Sequence, residues 1–346
     1  MSIDSDRAKQ LDAELARAGL ARWTPVPPLR MSNLEHVARV QPFAWRWREL
    51  EPLLGRVSEL STDIARAGHA KPRRVVRLVN PSTNAQWPSV TSTLGCNITL
   101  LLPGERWHAH RHVAEAIRFM LRGRGEFVVG SERCVMDPGD LAITPSLVNH
   151  EHSNVGYDSP ATWIDGLNVG IVRAFECPFY EEFPGETLAV TETAEPRMHF
   201  PWERTYAALR ALVERDELSP FDDALLEYNQ PLKTIGCFIQ LLRPGIRTRS
   251  HRQTSSAIYH VFRGSGSSVV GNQRIEWGAG DFFVVPPWTF HEHANASASD
   301  EVVLFSMQDT PVYKALGLYH EEAHPNGHVE PDGSVRPSSL SDVWSR

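Results

Sequence analysis

HRHVAEAIRFMLRGRG, from His110 to Gly125, lies without a gap beside HRQTSSAIYHVFRGSG, from His251 to Gly266. Ala116–Ile117, Arg122–Gly123 and Gly125 fall on Ala257–Ile258, Arg263–Gly264 and Gly266. Further along, PGDLAITPSLVNHEHSN (Pro138–Asn154) ends as AGDFFVVPPWTFHEHAN (Ala279–Asn295) does, at the same offset of 141 residues. A fixed offset held over such a length marks a duplicated structural unit. Inside each unit, short runs rich in Val, Ile, Leu, Phe and Thr alternate with Gly, Pro, Asn and Asp. VVRLVNP, NITLLLPG and ATWIDGLNVGIV belong to the first unit, and KTIGCFIQLLRPG, DFFVVPP and EVVLFSM to the second. Many short strands punctuated by turn residues predict an all-β barrel or sandwich, present twice.

The flanks differ. Ser5 is placed to cap a helix with Ala8, Leu11, Leu15 and Ala18 on one face and Gly19 at its end. Pro25, Pro27 and Pro28 follow, then Trp45 and Trp47, then an apolar period through Leu53, Val57, Leu60 and Ile64. Between the two units, Leu209, Leu212 and Val213 give a helical period within Pro201–Leu218. The expected organisation is an N-terminal helical arm over 1–70, a first module with the metal site over 71–195 and a helical linker over 196–230. A second module with a degenerate site over 231–325 and a loose tail over 326–346 complete it.

Composition narrows the function. The 346 residues carry 35 Lys plus Arg against 42 Asp plus Glu, a net charge of -7 that argues against nucleic acid as partner. No apolar run reaches the length of a membrane span, and the polar start MSIDSDRAKQ has no apolar secretory core. Four scattered cysteines without a CxxC pair suit a reducing cytoplasm.

The 15 histidines are unevenly spread. On a strand, residues i and i+2 share a face, so His110 and His112 aim two imidazoles at one point with Arg111 turned away. His150 and His152 repeat the arrangement on a later strand, and a small barrel brings His110, His112 and His150 together. Three neutral imidazoles suit Fe, Zn, Ni or Cu, and the donor set alone does not choose among them. His108 has the same nominal parity but is read as a rim residue. His69, His320, His324 and His328 are read as solvated.

Gly104-x5-His110-x-His112, then Gly139-x5-Pro145 and His150-x3-Asn154, resemble the two motifs of the cupin superfamily. Gly245-x5-His251, Gly280-x5-Pro286 and His291-x3-Asn295 repeat them, so the chain is expected to be all-β dominated: a bicupin of two jelly-roll β-barrels. Many metal cupins add a glutamate four or five residues after HxH, where this chain has Ala116 and Ile117. A three-histidine site followed by Arg118 and Phe119 resembles the gentisate 1,2-dioxygenase family, which includes salicylate and 1-hydroxy-2-naphthoate dioxygenases. HRHVAEAIRF, WIDGLN (Trp163–Asn168) and FPWERTYAAL carry the likeness, which runs from about Arg73 to Glu322.

The resemblance implies one Fe(II) per chain on His110, His112 and His150, a homotetramer, and a small aromatic acid and O2 as co-substrates. It implies Arg118 and His152 at the substrate, Asp165 supporting the site from its edge, and an arginine from the start of the barrel: Arg73, Arg74 or Arg77, with Arg77 taken as the substrate contact. Arg118 shares the parity of the histidines, and its planar fork suits a carboxylate. His152 is suited to take a phenolic proton or to hydrogen-bond bound oxygen. The family favours aromatics before the third ligand, whereas this chain has Ser146, Leu147, Val148 and Asn149, so Asn149 is expected to alter the pocket wall. The implied reaction is insertion of O2 between the carboxyl- and hydroxyl-bearing carbons of a 2-hydroxybenzoate, gentisate to maleylpyruvate first. Amino-, halo- or nitro-salicylates and 1-hydroxy-2-naphthoate are the alternatives, and a non-catalytic small-ligand cupin is the alternative of another class. In the second unit Gln253 stands for His112 and Tyr259 for Arg118, so that barrel is expected to be metal-free.

Overall fold

The computed structural model describes residues 9–11, 13–15, 17, 40–66, 74–83, 88–154, 156–329 and 333–334. Residues 9–11, 13–15 and 17 are helical, while Ser5, Ala8, Ala18, Gly19, the three prolines, His69 and Arg73 lie outside the described residues. The remainder forms two barrels, the all-β plan expected from the repeat. In the first, a six-stranded sheet runs in the order His199–Phe200, Leu141–Thr144, Ala116–Arg122, Ala161–Leu167, Gly95–Leu101, Arg74–Arg77. It faces Tyr180–Glu182, Arg106–His112, His150–Ser153, Gly125–Val129 and Glu132–Met136. In the second, the order Phe43–Trp45, Phe282–Val285, Ala257–Arg263, Val302–Gln308, Gly236–Leu242, Ala224–Glu227 repeats that sheet. Its partner sheet is Glu321–Ala323, His251–Gln253, His291–Ala294, Ser265–Val270, Gln273–Gly278 and Gly333–Ser334.

Strand alternation explains runs such as AIRFM and GCFIQLL that are apolar on both faces. Leu101, Met120, Phe127, Met136 and Trp163 fill the first barrel, and Tyr259, Val261, Ile275, Trp277 and Phe283 fill the second. The alternate residues, Cys96, Ile98, Ile117 and Phe119 from one sheet and Cys237, Ile239, Phe305 and Met307 from the other, form one cluster between the barrels. Phe119 stacks on Phe305 with ring centres 4.3 Å apart, and truncating such a fully buried ring costs about 3–5 kcal/mol. His260 lies in this layer, 4.6 Å from the Phe282 ring and 6.0 Å from the Phe119 ring. It faces away from the second barrel's cavity, as its parity required.

The arm and the linker prove to be one device used twice. Phe43–Trp45 pairs not with the first barrel but with Phe282–Val284 of the second. His199–Phe200 pairs back onto Leu141–Ala142 of the first. Each short strand leads into a helix, Trp47–Arg66 or Trp202–Glu214, whose opening N–H is taken by a remote aspartate. Asp281 accepts Trp47 N–H at 2.8 Å, and Asp140 accepts Trp202 N–H at 2.7 Å. A carboxylate there satisfies a donor that the helix itself leaves unpaired. The preceding glycines, Gly139 (φ +93°) and Gly280 (φ +92°), give the turn its left-handed backbone and clear the tryptophans. A β-carbon on Gly280 would come within 2.6 Å of the Trp47 side chain, and one on Gly139 within 2.8 Å of Trp202.

Two expected boundaries change accordingly. The 196–230 segment carries Ala224–Glu227, an edge strand of the second barrel, as well as its helix. Part of the tail is built into the fold, since Gly333–Ser334 pairs in parallel with Gln273–Arg274 and His328 Nδ1 lies 3.0 Å from Glu292 Oε2. Among the described residues, no helix is long and apolar enough to cross a membrane.

Candidate metal centre

His110 and His112 end the strand Arg106–His112, and His150 opens His150–Ser153; the two strands pair with His110 opposite His150. A β-bulge between Trp107 and His110 resets the alternation, so His108, two residues before a ligand position, is exposed at the rim. The three rings stand 4.3–5.6 Å apart between centres. One nitrogen from each lies within 4.8 Å of the others.

The backbone fixes which nitrogen. Nδ1 of His110 donates to the His108 carbonyl at 2.8 Å, that of His112 to Ala114 at 2.6 Å and that of His150 to Val148 at 2.9 Å. Each ring therefore keeps its Nε2 lone pair for the centre of the cluster. His150 Nε2 is buried without a hydrogen-bond partner. An orphaned buried lone pair aimed at two others is the environment a divalent metal satisfies. Burial and the nearby Arg118 cation keep the rings neutral: His110 is pulled down to about 4, His112 is lowered, and His150 and His152 lie well below the ordinary imidazole range. The residues fit a metal.

A row of polar side chains crosses the sheet beside the histidines. Register places Arg118 opposite Asp165, Asp165 opposite Asn97, and Asn97 opposite Arg77, all on one face. Arg118 is buried, with Nε 3.2 Å from Asp165 Oδ1 and one terminal nitrogen donating to Thr144 Oγ1 at 2.5 Å. Asp165 also accepts the Thr99 hydroxyl. Of the candidate arginines, Arg73 lies outside the described residues, and Arg74 and Arg77 separate. Arg74 is held by Glu105 at 2.6 Å, Ser58 at 3.0 Å and Thr62 at 2.6 Å, away from the histidines. Arg77 instead lines a cleft of about 440 Å³ with Asn97, Ala114, Val169 and Phe179. His152 is fully enclosed, its ring 4.8 Å from Phe127 and 5.7 Å from Trp163, and its Nδ1 has no partner.

Asn149 sits in the turn before His150, its carbonyl accepting Gly130 N–H at 2.8 Å. Its side chain is half-buried, one residue before the third histidine of the cluster. Sequence reasoning missed Asn97, Thr99 and Thr144, whose places follow only from strand register. It also missed Tyr180, whose ring lies 5.2 Å from that of His110. Tyr180 comes in on the three-residue strand Tyr180–Glu182, too short and too charged to stand out.

The second barrel keeps the frame and loses the cluster. His251 and His291 stand 4.4 Å apart, as His110 and His150 do. Gln253, in the His112 position, donates to Gln308 Oε1 at 3.0 Å and accepts the Tyr319 hydroxyl at 3.2 Å. Phe221 packs on the His251 ring at 5.1 Å, and Tyr259 stacks on Phe283 at 4.8 Å. A larger cleft of about 570 Å³, lined by Glu227, Lys233 and Lys314, lies at this barrel's edge and holds no histidine.

Two jelly-roll barrels, one with a buried three-histidine cluster beside an arginine, define a metal-site bicupin, and the cupin domain family matches residues 97–167 and 238–307. A 5-aminosalicylate 1,2-dioxygenase of Comamonas sp is 34% identical, with 91% of this chain and 90% of that protein covered. A gentisate 1,2-dioxygenase of Streptomyces sp is 35% identical over 89% of this chain and 93% of its own length. The crystal structure of a mutant salicylate 1,2-dioxygenase from Pseudoaminobacter salicylatoxidans in complex with gentisate superposes with a TM-score of 0.78 at 25% identity. It covers 94% of this chain and 97% of that one. The chain belongs to the gentisate 1,2-dioxygenase family of ring-cleaving bicupins.

Proposed function

We propose that this protein is an Fe(II)-dependent dioxygenase that opens a 2-hydroxybenzoate between its carboxyl- and hydroxyl-bearing carbons, with gentisate as first substrate and maleylpyruvate as product. Both atoms of O2 are retained in that product. The observation that carries the reading is the convergence of three backbone-oriented Nε2 atoms next to a buried Arg118. His110, His112 and His150 would hold the iron, which when bound supplies Lewis acidity and a one-electron couple linking the electron-rich ring to O2.

The chain's own side chains supply position and charge. Arg118 pairs with the substrate carboxylate, a role that suits a guanidinium already desolvated and held by Asp165 and Thr144. Asp165 and Thr99 hold Arg118 in that orientation. Arg77, at the cleft, supplies a second cation to draw in an aromatic acid. Neutral His152, kept uncharged by burial, accepts the phenolic proton. Phe127 and Trp163 exclude water behind it. The chains are proposed to assemble as a homotetramer, as the family resemblance implies, in the reducing cytoplasm that the scattered cysteines suit; light scattering of the purified protein tests the assembly.

Oxygen uptake by Fe(II)-loaded protein offered gentisate, salicylate, 5-substituted salicylates and 1-hydroxy-2-naphthoate tests the activity. The expected result is stoichiometric uptake with gentisate giving the highest kcat/KM. A 5-substituted salicylate that turns over faster would displace gentisate. Absence of uptake with every compound despite bound iron would sink the reading.

A further inference from the structure

Each barrel follows the strand that ends at His112 or at Gln253 with a turn fastened to the other barrel. In the first, the buried Glu115 carboxylate accepts Lys233 N–H at 2.8 Å, Thr234 N–H at 2.8 Å and the Thr234 hydroxyl at 2.5 Å. Asn168 Nδ2 donates to that hydroxyl at 2.8 Å. At the 141-residue offset, positions 115, 168 and 234 become Ser256, Asp309 and, in the reverse direction, Thr93. There the carboxylate has moved: Asp309 accepts Ser256 N–H at 2.7 Å, the Ser256 hydroxyl at 3.0 Å and the Thr93 hydroxyl. The two latches are counterparts, each made of a turn, a strand exit and a threonine from the other module.

They differ in what they stand next to. The peptide joining Ala114 to Glu115 carries the carbonyl that receives His112 Nδ1–H at 2.6 Å. That carbonyl decides both the tautomer and the aim of His112. In the second barrel the matching position is Gln253, whose amide is bound to Gln308 and Tyr319 instead. We propose that Glu115 is a positioning residue of the metal centre, through which the second barrel's Lys233–Thr234 segment holds the Ala114 carbonyl and so aims His112 Nε2. The second barrel thus contributes to the site of the first. This rests on His112 being a ligand.

The test is Co(II) binding to the apoprotein in competition with a chromophoric chelator, together with the visible Co(II) spectrum and a melting curve of each apoprotein. Glu115→Gln and Thr234→Val are expected to weaken Co(II) binding about 10- to 100-fold and to shift the Co(II) bands. Asp309→Asn, which breaks the counterpart latch, is expected to lower the melting temperature comparably and leave Co(II) affinity within about twofold of the parent, far below that range. The Thr234 variant keeps the test open should the Glu115 variant fail to fold. Unchanged affinity and spectrum in both Glu115→Gln and Thr234→Val overturns the proposal, and so does an equal loss of affinity in Asp309→Asn. A parent protein that binds no Co(II) fails earlier, at the ligand assignment itself.

Discussion

The two barrels agree on their outer faces and disagree on their inner ones. Outside, Arg106–Glu151 and Arg111–Glu181 of the first barrel are matched at the same offset by Arg247–Glu292 and Arg252–Glu322. The Gly-Asp turns that receive Trp202 and Trp47 are matched as well. Inside, His112 faces Gln253, Arg118 faces Tyr259, Asp165 faces Ser306 and Asn97 faces Phe238 in the alignment. Strand-to-strand pairing and turn geometry constrain the outer set. The inner set is under no such constraint, and there the second barrel puts the aromatic rings of Tyr259 and Phe238 where the first has Arg118 and Asn97. Retention of a frame is therefore no sign of retention of its chemistry.

The comparison breaks most directly at the metal. One equivalent of iron per chain is expected, lost together with activity in His112→Ala, where kcat/KM should fall by ~10³-fold or more, and kept in His251→Ala with near-parent oxygen uptake. Two equivalents in the parent, or inactivity confined to the His251 variant, would mean the barrels are wrongly ranked. The next largest contrast is at the cation. Arg118→Met should keep its iron yet lose roughly 10²–10³-fold in kcat/KM, whereas Tyr259→Phe at the matching position should change neither by steady-state assay.

Two further effects should be shared, and a difference between barrels would sharpen the account. Gly139→Ala and Gly280→Ala each force a left-handed β-carbon against a tryptophan, so each should cost about 2–3 kcal/mol in denaturant unfolding. The smaller effect is that of pH on the metal-free protein. His110 and His251 are both pulled from 6.5 to about 4 by burial. Between those values the unfolded chain binds more protons than the native one, so stability falls as pH drops from 6.5 toward 4. Melting curves of the apoprotein should show this, and saturating Co(II), which competes with protons for the native histidines, should extend the decline to lower pH. A flat profile would contradict neutral buried imidazoles.

The site was legible where local period decides it. His110, His112, His150 and Arg118 follow from i, i+2 alternation once the repeat fixes the strands. Legibility ended where register or long-range pairing decides. Telling Arg77 from Arg74 depends on Arg77 pairing with Asn97 across an edge that no local pattern specifies. The bulge after Trp107 inverted the face on which parity alone placed His108. The destination of Phe43–Trp45 was hidden because both barrels offer a similar edge, and nothing in PFAW tells one from the other.

That crossed destination makes closure mutual. Counted as strand, helix and barrel in this order, each module lends its arm to its twin and receives one in return, as exchange-swapped homodimers do between chains. Here the exchange is internal to one chain, so cutting the two halves apart would leave each barrel with an open sheet edge and a Gly-Asp turn without its tryptophan.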